Sequence, residues 1–226
     1  MKTKARVIGA FYLLTILAAA FSEGFVTDRI VVWGSAATTA SNMLAHATLV
    51  RAGYAVYLIE MIAQIVTAVL FYELLAPVNR NLARLSAVLE VSGCVIKTMS
   101  RLFFLISLLV LSEKAYASVF NTEQLQSVSL LMLRINDQGA AIALVFFGFA
   151  TILQGYLILK STFLPRWLGV WGMIAGLGWL TWLSPPLGLR LFPYVAPVGL
   201  LGALVMIGWL LVAGVNEQRW REQAAA

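Results

Sequence analysis

The stretch LSAVLEVSGCVIKTMSRLFFLISLLVL, residues 85–111, decides the fold. It is apolar almost throughout. It lacks the two-residue alternation of a membrane strand, which argues against a transmembrane barrel. Coiled as an α-helix at 1.5 Å per residue it is about 40 Å long, more than the roughly 30 Å hydrocarbon core of a bilayer requires. It also carries three charges, Glu90, Lys97 and Arg101, where a membrane span tolerates few.

Working outward, similar apolar runs recur along the chain. Spans are predicted near residues 7–21, 52–75, 85–111, 138–159, 167–183 and 194–215. The 226 residues are 61% hydrophobic and only 12% charged, against about 45–50% and 25% in a soluble domain. That composition excludes a soluble globular enzyme, a disordered chain and a disulfide-rich secreted domain. The fold expected is all-α: a polytopic bundle of six transmembrane helices forming one domain over residues 1–226. Lys2, Lys4 and Arg6 ahead of a short apolar run also have the makeup of a signal peptide; a retained first span is the expectation.

Two segments, 22–51 and 112–136, are polar enough to lie outside the bilayer. A surface helix is expected over 38–51, led by hydroxyl caps, and a second from Asn121, where Gln124 completes a capping box. Lys2, Lys4, Arg6, Arg80, Arg84, Lys160, Arg166, Arg219 and Arg221 fall on one side of the predicted bundle. Arg29, Arg51, Lys114, Arg134 and Arg190 fall on the other. The richer side should be cytoplasmic, with both termini inside and both surface helices outside. The expected location is a bacterial inner membrane. The net charge of +6 is spread over membrane-flanking loops, so it sets orientation and is not read as a nucleic-acid surface.

Glu60, Glu90, Lys97 and Arg101 fall within the predicted hydrocarbon. Lone charges there cost about 2.5–3.5 kcal/mol each, on the order of 10 kcal/mol together, so they should be paired, hydrated or turned to a cavity. At 100° per residue Glu90, Lys97 and Arg101 share a face, as do Glu60 and Gln64 on span two. Depth counted from the predicted span centres sets Glu60 level with Arg101, so an ion pair is expected between them, with Gln64 near Lys97. Gln154 on span four lies at a depth comparable to Glu90. Lys97 and Arg101 face Glu60 and the more distant Glu90, which leaves an excess cation suited to a carboxylate, phosphate or lipid head.

The leading expectation is a polar cavity between spans two, three and four that binds a small amphipathic or anionic ligand, or a membrane lipid; the competing reading of the same charges is a buried ion-pair network that only orients spans two and three. Its residues would be Glu60, Gln64, Glu90, Lys97, Arg101 and Gln154. His46, Arg51, Arg134, Asp137 and Gln138 lie near its outer mouth, as solvated interfacial residues or as a gate. A second reading is an intramembrane enzyme acting on a lipid or isoprenoid, with Glu60 as candidate acid or base. A third is an accessory or structural subunit, in which Gly172 and Gly176 would form a homodimer face if not used inside the bundle. One histidine and one cysteine give no single-chain metal set, and no cofactor motif is found.

Three stretches resemble a known membrane family. They are Ala5-Arg6-Val7-Ile8-Gly9 with Tyr12-Leu13-Leu14; Tyr72-Glu73-Leu74-Leu75-Ala76-Pro77-Val78-Asn79-Arg80 running on to Leu82-Ala83; and Phe146-Phe147-Gly148, Gly155-Tyr156-Leu157, Leu164-Pro165-Arg166, Leu168-Gly169 and Gly176-Leu177-Gly178. The family is DUF4386, bacterial integral membrane proteins of unknown function. The resemblance implies a six-helix inner-membrane protein and supplies no activity.

Overall fold

A computed structural model describes residues 1–225. Helices account for nearly all of them, and no strand occurs among the described residues. In chain order the longer ones are α1 (Lys2–Ile30), α2 (Ala36–Ala45), α3 (Ala47–Leu75), α4 (Arg80–Ser112), α5 (Thr122–Lys160), α6 (Arg166–Trp179), α7 (Pro185–Val212) and α8 (Glu217–Ala225). Five of these, α1, α3, α4, α5 and α7, are long and apolar enough to cross a membrane. Large apolar side chains such as Ile62, Met99, Ile142 and Ile174 are exposed on the helices. In water such a surface would aggregate; in lipid it is the ordinary outer face.

Local chemistry explains most boundaries. The Asn79 carboxamide accepts from the Leu82 N–H at 3.0 Å and starts α4. Asn121 and Gln124 exchange side-chain-to-backbone bonds at 2.9 and 3.0 Å, the expected capping box. Pro185 and Pro186 open α7, where the missing N–H of a first-turn proline is harmless. Gly214, at φ +67°, ends that helix in the left-handed conformation that glycine adopts without a Cβ penalty.

Several expectations are corrected. The segment after residue 22 is not a loop: α1 runs on to Ile30 through a wider π-helical stretch, Ala20–Thr27. The surface helix expected over 38–51 breaks at His46, so α2 is separate and α3 begins at Ala47. The capped helix from Asn121 is not a separate surface element but the first part of the 39-residue α5. The fifth predicted span is the 14-residue α6 followed by a 3₁₀ turn, Leu180–Leu183.

The chain forms two compact units. One comprises Met1–Leu14, Ile62–Val95 and Ala141–Ala226, described to residue 225; the other comprises Thr15–Met61 and Ile96–Ala140. Four helices, α1, α3, α4 and α5, supply residues to both. The first unit packs Ile8, Leu74, Leu75, Leu157 and Leu210 into its core. Its helices α5 and α6 meet at glycines: a Cβ on Gly155 would lie 2.6 Å from the Gly169 carbonyl, and one on Gly176 would lie 2.7 Å from that of Gly148. A Cβ on Gly172 would face α5 as well, 3.6 Å from the Gly155 Cα. The small-residue face of α6 is thus occupied within one chain. The second unit packs Val26, Ile30, Met43, Val50, Phe104, Leu108 and Leu133.

The tail of the first unit is tied by charge. Glu217 accepts from the Met1 amino group at 2.7 Å and from the Lys2 N–H at 2.6 Å. These bonds, the amino group's first, pull the Glu217 carboxyl down to about 2. A depressed carboxylate stabilises the folded form above its unfolded value of about 4.3 and loses that contribution as pH falls toward about 2. Acid titration in detergent, read by protection of α8 from protease, should therefore show α8 released between about pH 4 and 2. Glu217→Gln should abolish that pH step.

Candidate functional site

The second unit gathers its charges at one place. Glu23 comes from the π-helical stretch of α1, Tyr57 and Glu60 from α3, and Lys97, Arg101 and Phe104 from α4. The extra residue per turn of a π-helix shifts the side chains that follow it, and such stretches often mark functional positions. The Lys97 ammonium donates to Glu60 Oε1 at 3.0 Å and lies 3.0 Å from Glu23 Oε1. The Arg101 guanidinium donates to the same Glu23 oxygen at 3.2 Å. Ser22 donates to the other Glu60 oxygen at 3.3 Å.

Aromatic rings complete the cluster. The Arg101 guanidinium sits 3.7 Å from the Tyr57 ring centre and 5.0 Å from that of Phe104. The Tyr57 hydroxyl donates to the Lys97 carbonyl at 3.2 Å. An arginine stacked on rings keeps its charge with little hydration, the arrangement suited to a site without water.

Three members are closed off and one is not. The side chains of Glu60, Lys97 and Arg101 are 1%, 9% and 4% exposed, whereas that of Glu23 is 40% exposed. Glu23 is the open edge of the cluster. Two buried polar atoms of this unit have no protein partner among the described residues, the Arg101 Nε donor and the Asn136 Oδ1 acceptor. An unpaired buried donor costs about 1–3 kcal/mol, more when charged, so something normally occupies it.

The expected residues are distributed as follows. Glu60, Lys97 and Arg101 meet, with exchanged partners. Among the described residues no ion pair joins Glu60 to Arg101; Glu60 takes Lys97, and Arg101 takes Glu23. Gln64 and Glu90 belong to the first unit, where the Gln64 amide donates to Glu90 at 2.8 Å. Gln154, also in the first unit, lines a cavity of about 80 Å³ with Tyr12, Thr151 and Trp179. His46, Arg51, Arg134, Asp137 and Gln138 are exposed in the second unit.

Sequence reasoning missed Glu23, and with it the charge balance. The excess cation that pointed to an anion is met by this second carboxylate. The cluster also draws on α1, so it is not confined to spans two, three and four. Phe21, Phe25, Val26 and Ile30 continue the apolar pattern of α1 past Glu23, a signal that would have kept it in the span. Among the described residues no three His, Cys, Asp or Glu side chains gather into a metal-holding group.

Residues 7–214 match the family model described as "Domain of unknown function (DUF4386)". A protein of Archaeoglobus fulgidus described as "Uncharacterized protein" is 26% identical over 162 residues, 68% of this chain and 78% of that protein. No solved structure matches the chain.

Proposed function

The chain belongs to the DUF4386 family, and from that premise we propose that it is a multi-pass membrane protein that binds a small amphipathic ligand at the Glu23 edge of its buried charge cluster. In this reading it spans a cytoplasmic membrane, such as a bacterial inner membrane, six times. α6 with its 3₁₀ turn makes a short fifth span, about 29 Å by their helical rises. The basic-rich side faces the cytoplasm.

One observation carries the ligand reading. Glu23 is half-exposed while covering Lys97 and Arg101, both otherwise sealed. A carboxylate in that position is a replaceable counter-ion: an incoming carboxylate, phosphate or strong acceptor can take its two contacts. The unpartnered Arg101 Nε supports the same reading, since it offers one more donor than the protein uses. The other carboxylate, Glu60, is held at both oxygens by Lys97 and Ser22. That engagement favours binding over an enzymatic role for Glu60 as acid or base.

Glu23→Gln tests the reading. The variant keeps shape but leaves Lys97 and Arg101 short of one negative charge. Purified in mild detergent and weighed intact by native mass spectrometry, it should retain a small anionic molecule more strongly than the wild type, by about tenfold for one replaced charge-assisted contact. Equal and empty spectra for both proteins would sink the proposal.

A further inference from the structure

We propose that the groove between Tyr72 of α3 and Arg84–Ser92 of α4 seats an anionic glycerophospholipid, phosphate at the arginines and acyl chain along the valines. This site lies in the first unit and involves none of the buried cluster. It therefore stands or falls separately from the ligand reading above.

The groove holds about 400 Å³ and is lined by Tyr72, Arg84, Ala87, Val88, Val91 and Ser92. Positions 84, 87, 88 and 91 recur at helical spacing, so a single stripe of α4 forms its floor. Chemistry changes sharply along that stripe. Arg80 and Arg84, one turn apart, stand at one end, where Arg80 Nε reaches the Tyr72 hydroxyl at 3.5 Å. Beyond them come Ala87, Val88 and Val91. From Arg84 to Val91 the helix rises about 10 Å, the scale on which a bilayer passes from headgroup to acyl chain.

Charge selects the occupant. Among the described residues neither arginine pairs with a carboxylate, and Glu73, the acidic side chain on the adjoining end of α3, is taken by Lys4. Two guanidinium groups without counter-ions match a phosphate, which each can hold by two parallel bonds. The apolar floor, with Val88 exposed and Ala87 and Val91 half-buried, suits an acyl chain and offers a soluble anion nothing. A phenol at this depth is the usual interfacial hydrogen-bond donor.

The test uses the full chain in nanodiscs of equal phosphatidylglycerol and phosphatidylcholine, released into mild detergent, with retained lipids counted by native mass spectrometry. The wild type should retain phosphatidylglycerol about tenfold over phosphatidylcholine, the effect expected of one to two basic contacts. Arg80→Gln with Arg84→Gln should erase the preference. Val91→Trp, which fills the groove and leaves the charges, should erase it too. Absence of a preference in the wild type, or its persistence in the double variant, overturns the proposal. Loss in the double variant with retention in Val91→Trp also overturns it, because the attraction is then to the surface and not the groove. Unfolding midpoints in phosphatidylcholine alone verify that each variant is folded.

Discussion

Lys97→Met should lower the stability of the protein by about 3–5 kcal/mol, the cost of leaving buried charge without its partner. Lys97 is the link between two carboxylates, 3.0 Å from each, and its removal strands Glu60, which is 1% exposed. The measurement is the midpoint of unfolding in a graded denaturing detergent. The loss belongs to the stranded carboxylate and not to lost packing, so Lys97→Met combined with Glu60→Gln should recover much of it. A neutral carboxamide at position 60 needs no cation and keeps the acceptor that Ser22 uses. A single variant as stable as the wild type would show that Glu60 and Lys97 are not paired in the membrane.

Gly155→Ala should cost about 2–3 kcal/mol by overpacking, although alanine is normally the better helix former by about 1 kcal/mol. The new methyl would meet backbone, the Gly169 carbonyl at 2.6 Å and the Met173 nitrogen at 2.8 Å. Backbone cannot rotate aside as a side chain does, so α5 and α6 must separate. Gly172→Ala on the same face is the control. Its nearest neighbour is 3.6 Å away, an ordinary contact, and its effect should fall between neutral and a gain of about 1 kcal/mol. The same detergent titration reads both. Equal losses at the two positions would mean that the helices are not packed through Gly155.

The helical class was legible because it rests on sums: long apolar runs outweigh local detail in α3, α4, α5 and α7. The cap at Asn121 was legible to the atom because its chemistry lies within four residues. The charged stripe of α4 was legible because helical periodicity alone puts Glu90, Lys97 and Arg101 on one face. What depended on boundaries went astray. With α3 beginning at Ala47 its midpoint falls near Met61, and that of α4 falls near Ile96. Glu60 and Lys97 each lie one residue from those midpoints, so they meet, where the shorter expected span had set Glu60 against Arg101. Glu23 was lost for another reason. Ser22, Glu23, Gly24, Thr27 and Asp28 read locally as loop residues, but tertiary partners override that preference. Lys97 and Arg101 compensate the carboxylate, and the π-helical turn keeps the chain coiled around it.

The most direct measurement is an experimental density map of the chain in native lipid nanodiscs that resolves the side chains of α1, α3 and α4. A bound ligand at the open edge predicts non-protein density within hydrogen-bond distance of Arg101 Nε, beside a Glu23 carboxylate drawn away from Lys97. A Glu23 carboxylate locked on both cations, with the Arg101 Nε taken by the protein itself and no density beside it, would contradict the ligand site and leave the cluster a structural brace.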